Sequence, residues 1–366
     1  MRKSVFLMFT ALLVIALMPA QAANACTVFR VQSKDDAIVL GRSMEFGFDS
    51  ESQMAIVPRG YGFNLQAPGG KDGLSWKAKY GFVGANAFGL DPAILDGINE
   101  AGLAASILYL PGFTQYPEAT PQNAGRAIGN AYLLSWILSS FATVEEVKEA
   151  IKEVVVFYDL PKGVPQVPLD FHYIIYDAKG GSIVLEYVKG ALNLYDNPIG
   201  VMTNSPTFDW QLLNLRNYIN LTNVSVDSLK LGSYELTPLG QGTGLLGIPG
   251  DYTPPHRFVR ATALAFSAVT PDNAVQGMNL AFHILDAVDI PRGAVAQKDK
   301  AGKMVYDITN WTTVRDLTNM VLYFRTYDNL TIRKVDLKQL DFTGSAIKHI
   351  PMAGGDPYLD VTKNAK

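Results

Sequence analysis

The chain has 366 residues, 48% apolar and 18% charged, with a formal net charge of −3. That composition suits a compact globular protein with a large core, and without any Lys/Arg-rich run it excludes an electrostatic nucleic-acid surface. The single cysteine, Cys26, excludes an internal disulfide, and His172, His256, His283 and His349 lack metal-ligand spacing, so neither metal nor cofactor is expected.

The chain opens with Arg2 and Lys3, then an apolar run over 5–18 broken only by Thr10 and closed by Pro19. Ala23-Asn24-Ala25 is a small-x-small cleavage site, so residues 1–25 read as a secretory signal. The run is shorter than the ~20 residues that span a bilayer. Removing 25 residues from 366 leaves 341 and moves the formal charge from −3 to −5, because Arg2 and Lys3 go with the leader. The expected product is exported, periplasmic or extracellular, and has no membrane span.

From residue 26 the elements follow in order. Runs over 27–32 and 37–41 around Ser33-Lys34-Asp35-Asp36 predict a hairpin. Pairing about that turn sets Cys26 opposite Arg42. Residues 61–73 are rich in Pro and Gly and read as a loop. Strands are expected over 81–87 and 103–110, joined through Asn99-Glu100-Ala101-Gly102. A helix is expected over 128–141. Thr143 and Glu146 form a capping box for a second helix reaching about residue 154. Runs over 171–177 and 182–188 form a hairpin, 201–204 a short strand and 209–219 a helix. Residues 240–255 read as a loop, 256–269 and 274–288 as helices, and 320–327 and 331–336 as strands. Hairpins outnumber strand–helix–strand units. The expected fold is therefore α+β, with two mostly antiparallel sheets face to face and helices outside. No repeat, low-complexity tract or linker divides 26–366, so one domain is expected.

Cleavage after Ala25 would give Cys26 a free α-amino group beside its thiol. That pairing equips an N-terminal-nucleophile amidase, in which the side chain attacks and the terminal amine serves as base. A lipid attachment site also places cysteine just after a cut, although such signals normally have Leu where this chain has Ala23. A lipid-anchored, non-catalytic binding protein is the reading from another class.

Three stretches carry a family resemblance: Cys26-Thr27-Val28-Phe29, Gly41-Arg42-Ser43-Met44-Glu45-Phe46 and Asp96-Gly97-Ile98-Asn99-Glu100-Ala101-Gly102-Leu103. The stretches Thr203–Trp210, Leu239–Gly244, Pro249–Asp251 and Arg257–Arg260 continue it. Together they resemble the choloylglycine hydrolase family of bile salt hydrolases and penicillin V acylases. The resemblance implies a four-layer αββα sandwich of the N-terminal-nucleophile type, assembled as a homotetramer. It also implies an N-acyl amide substrate: a phenoxyacetyl-type penicillin, a glycine- or taurine-conjugated bile acid, or an N-acyl homoserine lactone. By the same resemblance Cys26 is the nucleophile and Arg42 lowers its thiol pKa. Asn204 donates to the oxyanion, and Arg257 is the second catalytic arginine. Glu45 stands where the family usually has Asp, with reach enough to hold the terminal ammonium. Tyr109 stands where bile salt hydrolases tend to have Asn, which tilts the reading toward penicillin V; its backbone N–H could serve the oxyanion hole. Met44, Phe46 and Phe88 are candidate pocket walls.

Gly242-Thr243-Gly244-Leu245-Leu246-Gly247 fits a dinucleotide fingerprint only in spacing, since Ile248-Pro249-Gly250-Asp251 follows at once instead of a helix.

Overall fold

The computed structural model describes residues 25–161, 168–299 and 301–365, so the secretory leader expected over 1–25 lies outside them except for Ala25. Strand β1 (Cys26–Gln32) turns back into β2 (Ile38–Phe46), the predicted hairpin. The turn holds five residues, not four: Ser33 N–H donates to the Ala37 carbonyl at 3.0 Å, and Asp36 takes the left-handed region at φ 62°. The register therefore shifts by two, and Cys26 faces Met44 while Arg42 faces Val28. A shift of two keeps every side chain on its face. Arg42 thus stays on the same side of the sheet as the Cys26 thiol, one diagonal away from it.

In the first sheet the strands run Val201–Met202, β1, β2, Met304–Asp316, Val321–Thr326 and Asn329–Asp336, with Val295–Lys298 on an outer part of the long strand. In the second they run Ala191–Asp196, Ser182–Val188, Phe171–Tyr176, Ala104–Tyr109, Ile94–Asn99, Phe82–Asn86, Gln53–Val57 and Lys348–Pro351. All pairings within these two sheets are antiparallel. Helices α4 (Pro254–Ser267) and α5 (Ala274–Asp286) cover the first sheet, and α1 (Leu133–Ser140) covers the second. This is the expected α+β sandwich. One cluster of buried side chains runs between the sheets from Cys26 to Met352.

Several elements differ from the sequence expectation. Residues 61–73 are no loop: Gly62–Ala67 and Lys71–Lys77 pair around Gly69 and Gly70, both at positive φ, and Phe63 stacks on Trp76 at 4.3 Å. The helix expected over 128–141 is shortened to Leu133–Ser140. Ala127–Gly129 is a strand, and Asn130 is held out of the helix by donating to the Leu169 carbonyl and accepting from Asp159 N–H. The two strands expected on either side of Asn99-Glu100-Ala101-Gly102 have Ile94–Asn99 between them. The capping box at Thr143 and Glu146 opens α2 (Val144–Ala150) as read.

Gly84 and Gly97 face each other across the second sheet, under α1. A Cβ on Gly97 would lie 2.8 Å from both Leu138 Cδ1 and the Val83 carbonyl oxygen. The oxygen belongs to the backbone and cannot step aside. Gly97→Ala is expected to destabilise the fold by about 1–3 kcal/mol, read as a lower midpoint in chemical denaturation.

Candidate active site

Cys26 starts β1, one strand in from the edge of the first sheet, flanked by β2 on one side and by the edge strand Val201–Met202 on the other. Both neighbours bring polar groups. Val201–Met202 pairs with Val28 and Phe29 and so delivers Asn204 beside Cys26. The Cys26 backbone N–H donates to Asn204 Oδ1 at 2.6 Å. Arg257, in the first turn of α4, donates from Nη2 to the same Oδ1 at 2.8 Å. Its Nη1 donates to the Cys26 carbonyl and to Thr27 Oγ1, each at 2.6 Å. Asn204 Nδ2 donates one hydrogen to the Tyr109 carbonyl at 2.9 Å, leaving one N–H of the amide unused. Tyr109 thus meets Asn204 through its carbonyl, whereas the sequence pointed to its N–H.

On the thiol's side of β2, Met44 Sδ touches both Cys26 Sγ at 3.9 Å and Arg42 Nη2 at 3.8 Å. Arg42 Nη2 donates to the Ile107 carbonyl at 2.7 Å, and its guanidinium lies 4.7 Å from the Trp311 ring centre. Asp96 fixes the other edge, 3.7 Å from Arg42 Nε. The same carboxylate takes Arg315 at 2.8 Å, Ser106 Oγ at 2.6 Å and Thr313 Oγ1 at 2.7 Å. Sequence reasoning quoted Asp96 but gave it no role; its signal was a charge placed amid apolar strand residues.

The thiol is 4% exposed. Burial pushes its pKa up, with Arg42 as the main opposing influence. Arg42 pulls the thiol pKa down, in the expected direction, but desolvation of the thiolate outweighs the guanidinium. Glu45 lies on the opposite face of β2 from Arg42 and Met44. Its Oε1 accepts from Thr309 Oγ1 at 3.1 Å, while Oε2 has no partner among the described residues. Burial pushes Glu45 up to about 8, against the pull of Arg257. Asp307, which the sequence reading passed over, stands near the same guanidinium with both oxygens unpartnered, and burial raises it to about 7.

A narrow pocket of about 60 Å³ opens beside Cys26. Arg42, Met44, Phe46, Phe88, Tyr109 and Phe171 line it, so all three pocket residues expected from sequence are there. Phe171 was legible only as a strand residue. Phe46 packs edge-on against Phe48 at 4.3 Å, and Phe48 lies 5.7 Å from Phe88. Phe88 holds positive φ, 54°, a conformation that turns the chain sharply at the pocket rim.

The raised Glu45 carboxyl makes a stability prediction. Unfolded, it gives up its proton near pH 4.5; folded, it keeps it to about 8. The folded state then binds more protons across that window, so stability falls as pH rises from about 4.5 to 8 and levels off above. The slope from this group is at most ~1.4 kcal/mol per pH unit. In the uncut chain, Glu45→Gln is expected to flatten the loss between pH 5 and pH 8, as followed by urea denaturation.

Comparison with known proteins places this geometry. The family of linear amide C–N hydrolases, choloylglycine hydrolase family, matches residues 26–350. The bile salt hydrolase/transferase of Clostridium perfringens is 34% identical over 325 residues, covering 88% of this chain and 95% of that protein. Penicillin V acylase of Pectobacterium atrosepticum is 29% identical, covering 97% and 90%. The crystal structure of a conjugated bile acid hydrolase variant from Clostridium perfringens superposes with a TM-score of 0.79 at 32% identity, covering 92% of this chain and 99% of that one. With this match over nearly its whole described length, the chain belongs to the choloylglycine hydrolase family and is a hydrolase of linear amide C–N bonds.

Proposed function

We propose that the chain is an exported cysteine amidohydrolase of the penicillin V acylase kind, active once it is cut after Ala25. Ala25 and Cys26 are 5% and 4% exposed, so the cutting peptidase must act before the chain folds. The α-amino group, a base near neutral pH, takes the thiol proton as Cys26 Sγ attacks the substrate carbonyl and a C–S bond forms. The C–N bond breaks, and the same group passes that proton to the leaving amine. Water hydrolyses the thioester. Asn204 has one amide N–H left for the oxyanion. Arg257 holds the Cys26 carbonyl and Asn204 in register, and Arg42 Nη1, without a partner among the described residues, borders the pocket.

The observation that carries the acyl preference is the pocket. Its 60 Å³, where one water needs about 10–15 Å³, is room for a single aromatic ring. The ring edges of Phe46, Tyr109 and Phe171 suit a flat aryl group, and a steroid would require Phe48 and Phe88 to part. The bile salt reading rests on the 34% identity to a bile salt hydrolase/transferase.

Self-association has its own support. The arm from residue 219 to 246 exposes Ile219, Val224, Leu229, Leu231, Tyr234 and Leu239. Such a contiguous apolar surface marks an interaction site, and we assign it to a homotetramer. Light scattering should report four chains, and Leu229→Lys with Leu231→Lys should lower that number.

Protein matured to Cys26 is expected to hydrolyse penicillin V faster than glycocholate, and Cys26→Ser to hydrolyse neither. Faster glycocholate turnover reverses the acyl preference. Intact mass reads the cut: a chain starting at Cys26 with no added acyl mass supports the enzyme, whereas an acylated Cys26 supports the lipid-anchored binding protein in the envelope.

A further inference from the structure

Two buried titratable side chains outside the proposed mechanism sit one residue from Asn204. His172 and Glu186 are 1% and 0% exposed. They lie on neighbouring strands of the second sheet, whose register sets them directly across from one another. Glu186 Oε1 lies 3.1 Å from His172 Nδ1 and accepts the Phe208 backbone N–H at 3.0 Å. His172 Nε2 lies 2.8 Å from the Thr203 carbonyl. A carbonyl only accepts, so the hydrogen-bond network assigns a proton to Nε2. Nδ1 faces a carboxylate oxygen of Glu186.

The two contacts fall at the two ends of one turn. Thr203 and Phe208 bound the segment that carries Asn204, and the Thr203 carbonyl belongs to the peptide plane of the Asn204 N–H. The segment itself belongs to the other sheet, through Val201–Met202 on β1. The pair therefore reaches from one sheet to hold a turn of the other. Further bonds to this turn come from Ser205 Oγ to the Pro111 carbonyl and from Gln211 Nε2 to the Asn204 carbonyl. These act along the middle of the turn; at its Thr203 end the Thr203 hydroxyl also donates to the Pro254 carbonyl at 2.9 Å, so His172 holds the carbonyl there and Glu186 the Phe208 end.

We propose that His172 and Glu186 are positioning residues: a buried clamp that fixes the 203–208 turn and thereby the Asn204 amide against Cys26. The inference rests on the catalytic reading of Cys26 and Asn204 given above. It differs from a packing role in what it predicts. Loss of the clamp leaves the acyl pocket, which His172 does not line, and moves only the groups that act in the transition state. The chemical step slows and substrate binding is spared.

The test uses the matured protein and two polar variants. In His172→Asn the shorter amide stays near Glu186 and no longer reaches Thr203. In His172→Gln the amide reaches the Thr203 carbonyl. Hydrogen exchange read by mass spectrometry should show residues 203–210 protected in the wild type, at least tenfold faster in His172→Asn and within threefold of wild type in His172→Gln. On whichever of penicillin V and glycocholate the wild type hydrolyses faster, His172→Asn should lose on the order of 100-fold in kcat with KM within threefold, and His172→Gln should recover at least tenfold of that loss. Unprotected exchange of 203–210 in the wild type overturns the clamp, and this holds even where a variant fails to fold. So does a His172→Gln no better than His172→Asn, or a loss shared equally between kcat and KM. A wild type that hydrolyses neither substrate overturns the catalytic reading instead, and exchange alone then decides the clamp.

Discussion

Arg257 is wholly buried, and a guanidinium out of water must satisfy its N–H groups or forfeit several kcal/mol. The structure meets that demand with acceptors from three separate parts of the chain. They are the Tyr252 carbonyl before α4, the Cys26 carbonyl with Thr27 Oγ1 at the head of β1, and Asn204 Oδ1 after the short strand beside it. Pro254 and Pro255 open α4 and fix where its first turn begins, which sets the height of Arg257 over the sheet. Once these bonds are made, Cys26, Asn204 and the helix cannot move independently. Cys26 and the Asn204 amide are thus held together by a cation that neither of them carries.

The rest of the interior follows from placing charge in a medium that resists it. Arg42, Arg257 and Arg315 are among the largest fully buried side chains. Asp96 answers two of them and takes two hydroxyls besides. This ties β2 and the long strand of one sheet to the middle of the other. Glu45 and Asp307 answer the third less completely, since three of their four oxygens have no partner among the described residues. Burial raises both carboxyls.

What could be read in the sequence follows the same division. The first hairpin, the capping box at Thr143 and the helices α4 and α5 are local patterns, and local patterns are legible. The register of the hairpin was not, because it depends on whether Ala37 joins the turn or the strand. The strand Met304–Asp316 escaped notice although it lies at the centre of the first sheet. Its sequence MVYDITNWTTVRD carries Asp307, Thr309, Asn310, Thr313 and Arg315 where a buried strand ordinarily carries apolar side chains. Those polar residues face the site and the ion cluster, so the feature that makes the strand functional also hid it. Asn204 and Arg257 were found through family resemblance alone. Nothing in their local sequence says that strands 178 residues apart in the chain will meet. His172 and Glu186 left only the trace of two titratable residues in otherwise apolar runs.

The proposed cut changes the electrostatics of this interior in a definite direction. Before it, the nitrogen of Cys26 is an uncharged amide that donates one hydrogen to Asn204. After it, the same nitrogen is an amine that can carry a positive charge with two or three hydrogens to place. Glu45 is the acid whose charge bears on Cys26, and its Oε2 has no partner among the described residues. An ammonium nearby favours the carboxylate form, so the two ionise together: the carboxylate steadies the ammonium, and the ammonium draws Glu45 down from about 8. The extra methylene relative to Asp then has a physical meaning. It leaves Oε1 on Thr309 while Oε2 keeps room for a second partner. The buried, half-satisfied carboxyl of the uncut chain is in this sense a site prepared for the charge that cleavage creates.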